Sequence, residues 1–330
     1  MLTVTFIRHG QSEDNIEPIW AGSRDAALSE LGVKASTKLH HIATAFFKSD
    51  TKFDVIYSSN LSRAHATGQA VLGAHSLPKP RFISDKRLQE QNFGIAEGQP
   101  WVILKQIPRK RPYEEMFAKK NFPLADYNRD QKFPEGESLN DLARRAESAI
   151  ADCMAPHLAA AAQGDIHIAI VSHGGCISEL AAALLRLDPD SPRDVSYEGL
   201  LNTAWTRAVV SLKDVTPTRP LNVAHLPPLT VEITDVNNSD HLVSLEAELE
   251  RRKLREVEIV ASTENLTRLT IPKIHLQLGA LRIRGVPDIL PNSTYSLKRE
   301  KVEALKAALD IYLADKERFP LPVDPEADLP

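Results

Sequence analysis

Three short, continuous apolar runs constrain this chain more than any other feature: "VTFI" at 4–7, "FDVIYSSN" at 53–60 and "IHIAIVSHGG" at 166–175. Each is too short for a typical helix and too uniformly apolar for a strand with a wet face. Each therefore reads as a strand buried on both sides. Helix-patterned stretches follow them. After the first comes "ALSELGVKASTKLHHIATAFF", with Ser29 as N-cap and Leu31, Ala35, Leu39, Ile42 and Phe46 at helical spacing. After the second comes "LSRAHATGQAVLGAH", and after the third "CISELAAALLRL". Strands alternating with helices predict an α/β fold whose central, mostly parallel sheet is flanked by helices.

In such sheets ligands bind outside the carboxyl ends of the strands. Here those ends carry residues of one chemical kind: Arg8-His9-Gly10, Ser58-Ser59 leading to Arg63, and Ser172-His173-Gly174. Arginine makes bidentate, charge-assisted bonds to phosphate oxygens. Histidine serves as a nucleophile or, when protonated, as a cation for phosphate. Glycine admits a bound group close to the backbone, and the start of the next helix adds free N–H donors. Two arginines and two histidines at one edge point to a phosphoryl site, where charge spread over the transferring oxygens must be met by donors. A general acid is also required. "DKRLQEQNFGIAEGQ" offers Glu90 and Glu97, and their spacing does not choose between them. A carboxyl beside a phosphate is pushed toward its protonated form, which suits proton donation.

The blocks "FIRHGQSEDN", "AGSRDAALSELG", "VIYSSNLSRAHATG", "RLQEQNFGIAEGQ", "FPEGESLNDLARR" and "IAIVSHGGCISEL", in that order, resemble the histidine phosphatase superfamily, in its phosphoglycerate-mutase-like branch. The resemblance extends over roughly residues 1–242. It implies that His9 is the nucleophile that becomes phosphorylated and that Arg8, Arg63 and His173 hold the phosphate. Glu90 stands at the family's L-x-E acid and would be the proton donor. Asn15 matches the asparagine that contacts phosphate or substrate, Ser23 a common substrate-contacting position, and Gly10 and Gly174 the motif glycines. Gln11 stands where glutamate is commoner. Cations around His9 favour its neutral, nucleophilic form. The arginines and His173 supply the charge, and no zinc or magnesium ligand set is recognisable. Neither metal nor other cofactor is expected.

Read singly, the same residues have plainer roles. Arg-His at a strand end is polar termination, Arg63 an ion-pair former on a helix surface, and Glu90 a solvated carboxylate; their company in ordered blocks favours chemistry. Glu97 reads as structural, and His40, His41, His65 and His75 as surface or loop histidines. The cluster Arg109-Lys110-Arg111 either selects anionic substrates or is a solvated loop.

The rest of the chain organises around this core. Residues 1–242 are expected to form the catalytic domain, with 101–135, rich in proline, aromatics and basic residues, as a cap inserted over the site. "PEGESLNDLARRAESAIADCM" reads as a helix with a capping box of Ser138 and Asp141 and with Leu139, Leu142, Ala146, Ala149 and Cys153 on one face. Pro156 should kink or end it. "WTRAVVSLKDV" and "LTVEITDVNN" read as late strands, and "DHLVSLEAELERRKLREVE" as a charged helix. Residues 243–318 form an extension of mixed helix and strand. Within it "LTRLTIPKIHLQL" suggests a strand or two, and the helix at 298–318 packs through Val302, Leu305, Leu309 and Tyr312. The proline-rich acidic tail, 319–330, is expected to be disordered.

Composition excludes other classes. The chain has 330 residues and a net charge of −4, so no basic field argues for nucleic acid or membrane surfaces. Cys153 and Cys176 form neither a metal spacing nor a disulfide framework. No signal-peptide pattern and no membrane-length apolar run is present, so a cytoplasmic protein is expected, with the nucleus also open to it.

The expected activity is metal-independent phosphatase action on a phosphorylated small molecule or phosphoprotein. A phosphoglycerate-type mutase is a second reading. It is disfavoured by the shortness of 101–135 beside the longer insertion of mutases and by "PEGESLND", which resembles phosphatase members. A third is an interaction subunit with its protein partner at 243–318, since some fungal transcription-complex subunits resemble histidine phosphatases with added C-terminal regions.

Overall fold

A computed structural model of the protein describes residues 1–34, 52–102, 117–118, 120, 122–123, 129–192, 197, 199–213, 227–240, 242, 254–290 and 294–320. The chain divides into two compact units, Met1–His241 and Leu242–Pro330.

The first unit is built on a six-stranded sheet. Its strands are β1 (Leu2–Arg8), β2 (Val55–Ser58), β3 (Arg81–Ser84), β6 (Ile166–Ser172), β7 (Trp205–Leu212) and β8 (Leu229–Asn238). β4 (Trp101–Val102) and β5 (Phe122–Pro123) pair separately, in parallel. The order across the large sheet is β3-β2-β6-β1-β7-β8. The first four run parallel, while β7 pairs antiparallel with β1 and β8 antiparallel with β7. β1 and β6 lie in register from Leu2 beside Ile166 to Arg8 beside Ser172, and Ser58 of β2 lies beside Val171. Three polar strand ends are thereby brought to one edge.

Both faces of the central strands are covered, which explains their unbroken apolar sequence. On one face Val4, Phe6, Ile168 and Ile170 pack with Leu142, Ala146 and Ile150 of α2 (Leu139–Ala161) and Ile177, Leu180 and Leu184 of α3 (Gly174–Arg186). On the other, Ile7, Ile56, Ala169 and Val171 meet Ala64 and Val71 of α1 (Ser62–Gly73). The alternation of Ile168 and Ile170 with Ala169 and Val171 follows the two-residue period of a strand. α2 opens with the capping box of Ser138 and Asp141, whose carboxyl is held down at about 2 by the Ser138 backbone and hydroxyl.

Some expectations are corrected. Pro156 does not end α2, which continues to Ala161. Proline forfeits one helical bond, but Leu158 and Ala161 beyond it are buried in the core, and that burial keeps the helix running. Leu31 is exposed, although Ser29 begins a helical stretch at 30–34 by accepting from Gly32 N at 3.1 Å. Ala35, Leu39, Ile42, Phe46, His40 and His41 lie outside the described residues. So does Arg109-Lys110-Arg111. Of the expected cap, the described part packs Phe117, Phe122 and Phe133 around Trp20 and Phe93, with Trp20 Nε1 donating to Phe122 O at 3.1 Å. His75 is not a free loop residue: its Nδ1 donates to Val71 O and its Nε2 accepts from Phe53 N.

The second unit has its own core of Leu266, Ile274, Leu278, Leu281, Leu305, Ala308 and Leu309. It holds α4 (Ile271–Ile283) and α5 (Lys298–Ala314). The strand expected within 266–278 is a helix instead. Pro272 occupies the first turn, where no N–H is needed, and Ile274, Gln277, Leu278 and Leu281 are buried at helical spacing. The charged stretch 241–253 is outside the described residues except Leu242. Among the described residues no helix is long and apolar enough to cross a membrane.

Phe6 sits fully buried on the strand that carries the Arg8-His9 end. Phe6→Ala is expected to lower stability by about 3–5 kcal/mol, read as a fall in the urea midpoint. A loss under about 1 kcal/mol would contradict the central placement of β1.

Candidate active site

His9 follows β1 directly, and its N–H donates to Ser172 O of the neighbouring strand at 2.9 Å. The side chain is 3% exposed. Its Nδ1 lies 2.6 Å from Gly10 O. A carbonyl can only accept, so Nδ1 carries the ring proton and Nε2 keeps its lone pair. Arg63 Nε donates to that lone pair at 3.3 Å. Burial first, then the charges of Arg63 and Arg8, hold the imidazole pKa well below 6.5. The ring is thus neutral, with a single basic nitrogen turned toward a guanidinium.

Arg63 lies in the first turn of α1 and is 1% exposed. Its other nitrogens donate to Arg24 O at 2.6 Å and Gly22 O at 2.7 Å. That loop is fixed by Glu97, whose Oε1 accepts from Ser23 N (2.7 Å), Ser23 Oγ (2.8 Å) and Phe93 N (3.1 Å). Gly22 is required there. Its φ is +54°, and a Cβ would stand 2.3 Å from Glu97 Oε1. Asp25 in the same loop accepts from Ser62 N and Oγ, supplying the cap that Leu61 cannot give α1.

Arg8 Nη1 donates to Leu200 O, while its buried Nε has no partner among the described residues. A Cβ on Gly174 would lie 3.6 Å from that Nε, so glycine leaves this donor uncovered. His173 is the N-cap residue of α3 and is fully buried, its ring 4.9 Å from that of His9. Its Nε2 pairs with Ser59 Oγ at 2.9 Å, and its buried Nδ1 has no partner among the described residues. In the tautomer whose Nε2 accepts from the serine hydroxyl, Nδ1 bears the proton and is a second unclaimed donor. Burial, then His9, Arg63 and Arg8, press its pKa well below 6.5. Burial also lowers the pKa of Arg8 and Arg63, with Glu90 opposing it in each.

Glu90 reaches the first turn of α3, accepting from Gly175 N and Cys176 N at 3.0 Å each, and also from Gln91 N. A Cβ on Gly175 would come within 2.8 Å of Glu90 Oε1. Behind it, Arg145 of α2 donates to Arg87 O, Gln89 O and Glu90 O, and pairs with both oxygens of Glu137. Burial pushes the Glu137 pKa up, but hydrogen bonds from Arg145 and Asn92 N outweigh it and leave the carboxyl lowered. Arg145 therefore grips the backbone that carries Glu90.

Asn15 Oδ1 accepts from Ser12 N and from Asn202 Nδ2, both at 3.2 Å. Asn202 Nδ2 also donates to His9 O at 3.1 Å. The next residue, Thr203, is fully buried at φ +62° and donates its N–H to both Arg8 O and His9 O at 3.1 Å. A β-branched residue in that conformation costs about 1–3 kcal/mol and is held only by strong surroundings.

Arg8, His9, Arg63 and His173 thus form one cluster, with Asn15 joined to it through Asn202 and Glu90 at the adjoining helix terminus. Ser23 is nearby only through its loop, and its hydroxyl is turned to Glu97. Gly10 donates its N–H to Thr67 Oγ1 at 3.0 Å. Sequence reasoning assigned no role to Arg145, Glu137 or Gly175, although all lie in the motif blocks, and Asn202 and Thr203 carried no local signal. Among the described residues no cluster of three or more His, Cys, Asp or Glu could hold a metal.

The profile of the histidine phosphatase superfamily (branch 1) matches residues 4–214, and the chain belongs to this superfamily. It is 28% identical over 193 residues to a probable phosphoglycerate mutase GpmB of Yersinia pestis (strain Pestoides F), covering 58% of this chain and 79% of that protein. Among solved structures, a mycobacterial glucosyl-3-phosphoglycerate phosphatase superposes with a TM-score of 0.52 at 22% identity, over 72% of this chain and 99% of its own. A protein named mycobacterial hydrolase 2 superposes with the same score at 23% identity, over 75% and 97%. At these identities the superpositions speak to the fold. Family membership supports a phosphatase or mutase activity.

The buried histidines make stability depend on pH. His167, bonded to Thr5 Oγ1 at 2.7 Å, is lowered to about 3 by burial and then by Arg207 and His75. Below about 6.5 the unfolded chain protonates these rings while the fold keeps His9, His173 and His167 neutral. The unfolded state then binds more protons, so stability falls as pH drops from about 6.5 toward the folded values. Each such ring contributes up to about 1.4 kcal/mol per pH unit. Urea midpoints should decline steadily from pH 7 to pH 5, and His167→Gln should flatten that decline. A flat wild-type profile over this range would contradict the neutral, buried rings.

Proposed function

We propose that this protein is a metal-independent phosphatase that cleaves a phosphomonoester through a phosphohistidine on His9. The observation that carries this reading is the state of His9: a buried neutral ring whose Nε2 lone pair faces Arg63. In the reaction Nε2 attacks phosphorus, a P–N bond forms, and the bond from phosphorus to the leaving oxygen breaks. Glu90, protonated, gives that oxygen its proton. Water then attacks phospho-His9 while the Glu90 carboxylate takes its proton, and the P–N bond breaks to release phosphate. Arg8, Arg63 and His173 supply donors to the transferring oxygens, and the uncommitted Arg8 Nε and His173 Nδ1 suit that task. Two guanidinium charges do the work a metal would otherwise do.

The relatives named probable phosphoglycerate mutases favour a second reading, in which phospho-His9 returns its phosphoryl group to an acceptor hydroxyl rather than to water. Incubation with 3-phosphoglycerate separates the two: inorganic phosphate marks the phosphatase, 2-phosphoglycerate the mutase.

His9→Ala is expected to abolish both hydrolysis of an aryl phosphate and an acid-labile phosphoprotein band, and turnover should survive chelator treatment. Retained turnover in His9→Ala would overturn the nucleophile. Glu90→Gln should slow hydrolysis of alkyl phosphates by about 10²–10⁴-fold. Aryl phosphates, whose leaving groups need less protonation, should suffer less. Equal losses for both would remove Glu90 from the role of acid.

A further inference from the structure

We infer that Asn202 is a positioning residue that fixes the side-chain amide of Asn15 with its nitrogen end presented for an anion. The inference rests on the reading of this cluster as a phosphoryl site.

Backbone groups dictate the orientation of both amides. Ser12 N–H can only donate, so the Asn15 atom it meets at 3.2 Å is the oxygen. His9 O can only accept, so the Asn202 atom it meets at 3.1 Å is the nitrogen. That same nitrogen donates to Asn15 Oδ1 at 3.2 Å, and its two hydrogens are thereby spent. Asn15 Oδ1 holds two donors, and Asn15 Nδ2 has no partner among the described residues. The amide of Asn15 is therefore locked by its oxygen end, which leaves its two N–H donors for an anion. Without Asn202, one of the two bonds that oppose a flip of that amide is lost.

Asn202 is itself rigidly carried. Leu200 O accepts from Arg8 Nη1, Thr203 N–H bridges the Arg8 and His9 carbonyls from its left-handed conformation, and Ala204 O accepts from Arg8 N at 3.0 Å. Leu201 N is tied to Asn237 Oδ1 at 2.8 Å. The segment 200–204 thus grips the nucleophile's backbone on one side and Asn15 on the other.

A double-mutant cycle tests this. Asn15→Ala and Asn202→Ala are each expected to lower kcat/KM for an aryl phosphate about tenfold or more. The double variant should be no worse than Asn15→Ala by more than about twofold, because Asn202 acts through Asn15. Asn202→Asp keeps the shape but sets a carboxylate against two acceptors, and should be more damaging than alanine. Losses that multiply in the double variant would overturn the inference. A second readout needs no turnover: the Asn15 side-chain amide signals in a ¹⁵N spectrum, assigned by their loss in Asn15→Ala, should shift and broaden in Asn202→Ala. Unchanged signals would overturn the inference even if the enzyme is active. Shifted signals in a protein without phosphatase or mutase turnover would uphold the coupling and reject the functional reading instead.

Discussion

Parallel pairing of β1 with β6 is the constraint on which the site depends. Side-by-side register sets Arg8 level with Ser172, so the residues that follow, His9 and His173, emerge together with ring centres 4.9 Å apart. β2 lies on the far side of β6, and the chain leaving it delivers Arg63 to His9 from α1. A slip of one residue in this pairing would turn every side chain of a strand to the other face. The core forbids that slip, because Ile168 and Ile170 fit the α2–α3 face while Ala169 and Val171 fit the α1 face. Core packing thus sets the distance between two imidazoles.

That geometry concentrates positive charge in a buried place, and the surroundings are arranged to tolerate it. Carbonyl oxygens, not carboxylates, accept from Nη1 and Nη2 of Arg63 and from Nη1 of Arg8. Carbonyls satisfy the donors without neutralising the charge, so the field stays positive. Two neighbouring carboxylates have other duties. Glu97 is spent on the 21–24 loop, and Glu90 is engaged by the N–H groups of α3. Burial first, and then these cations, hold the pKa of both histidines well below 6.5.

What the sequence made legible follows from where the signal resides. Buried strands and their helices are local patterns, and they read correctly at β1, β2, β6, α1, α2 and α3. Arg8, His9, Arg63, Glu90 and His173 stand at the ends of those patterns, so their convergence could be foreseen from the strand-end rule and the ordered blocks. Asn202 could not. Its partners His9 and Asn15 lie 193 and 187 residues away in sequence, and no period or motif marks an asparagine that acts through such bonds. Arg145 lay inside a quoted block, yet on a helix a lone arginine reads as a surface cation; only the fold shows it gripping three carbonyls. The stretch at 266–278 was misread because its threonine and isoleucine favour strand, whereas burial at 274, 278 and 281 selects helix.

The strain at Thr203 also serves the end of β1. A buried β-branched residue held at φ +62° is unfavourable locally. It persists because that conformation aims one N–H at two successive carbonyls, those of Arg8 and His9, just where β1 leaves the sheet. The strand end could otherwise fray, since His9 lies beyond the last β1–β6 pair and β7 pairs with β1 only up to Ile7. Backbone strain on one segment is exchanged for rigidity at the two residues on which the proposed chemistry depends. The backbone bonds with Thr203 and Ser172 thus fix where the His9 ring starts, and its bonds to Gly10 O and Arg63 Nε fix where its lone pair points.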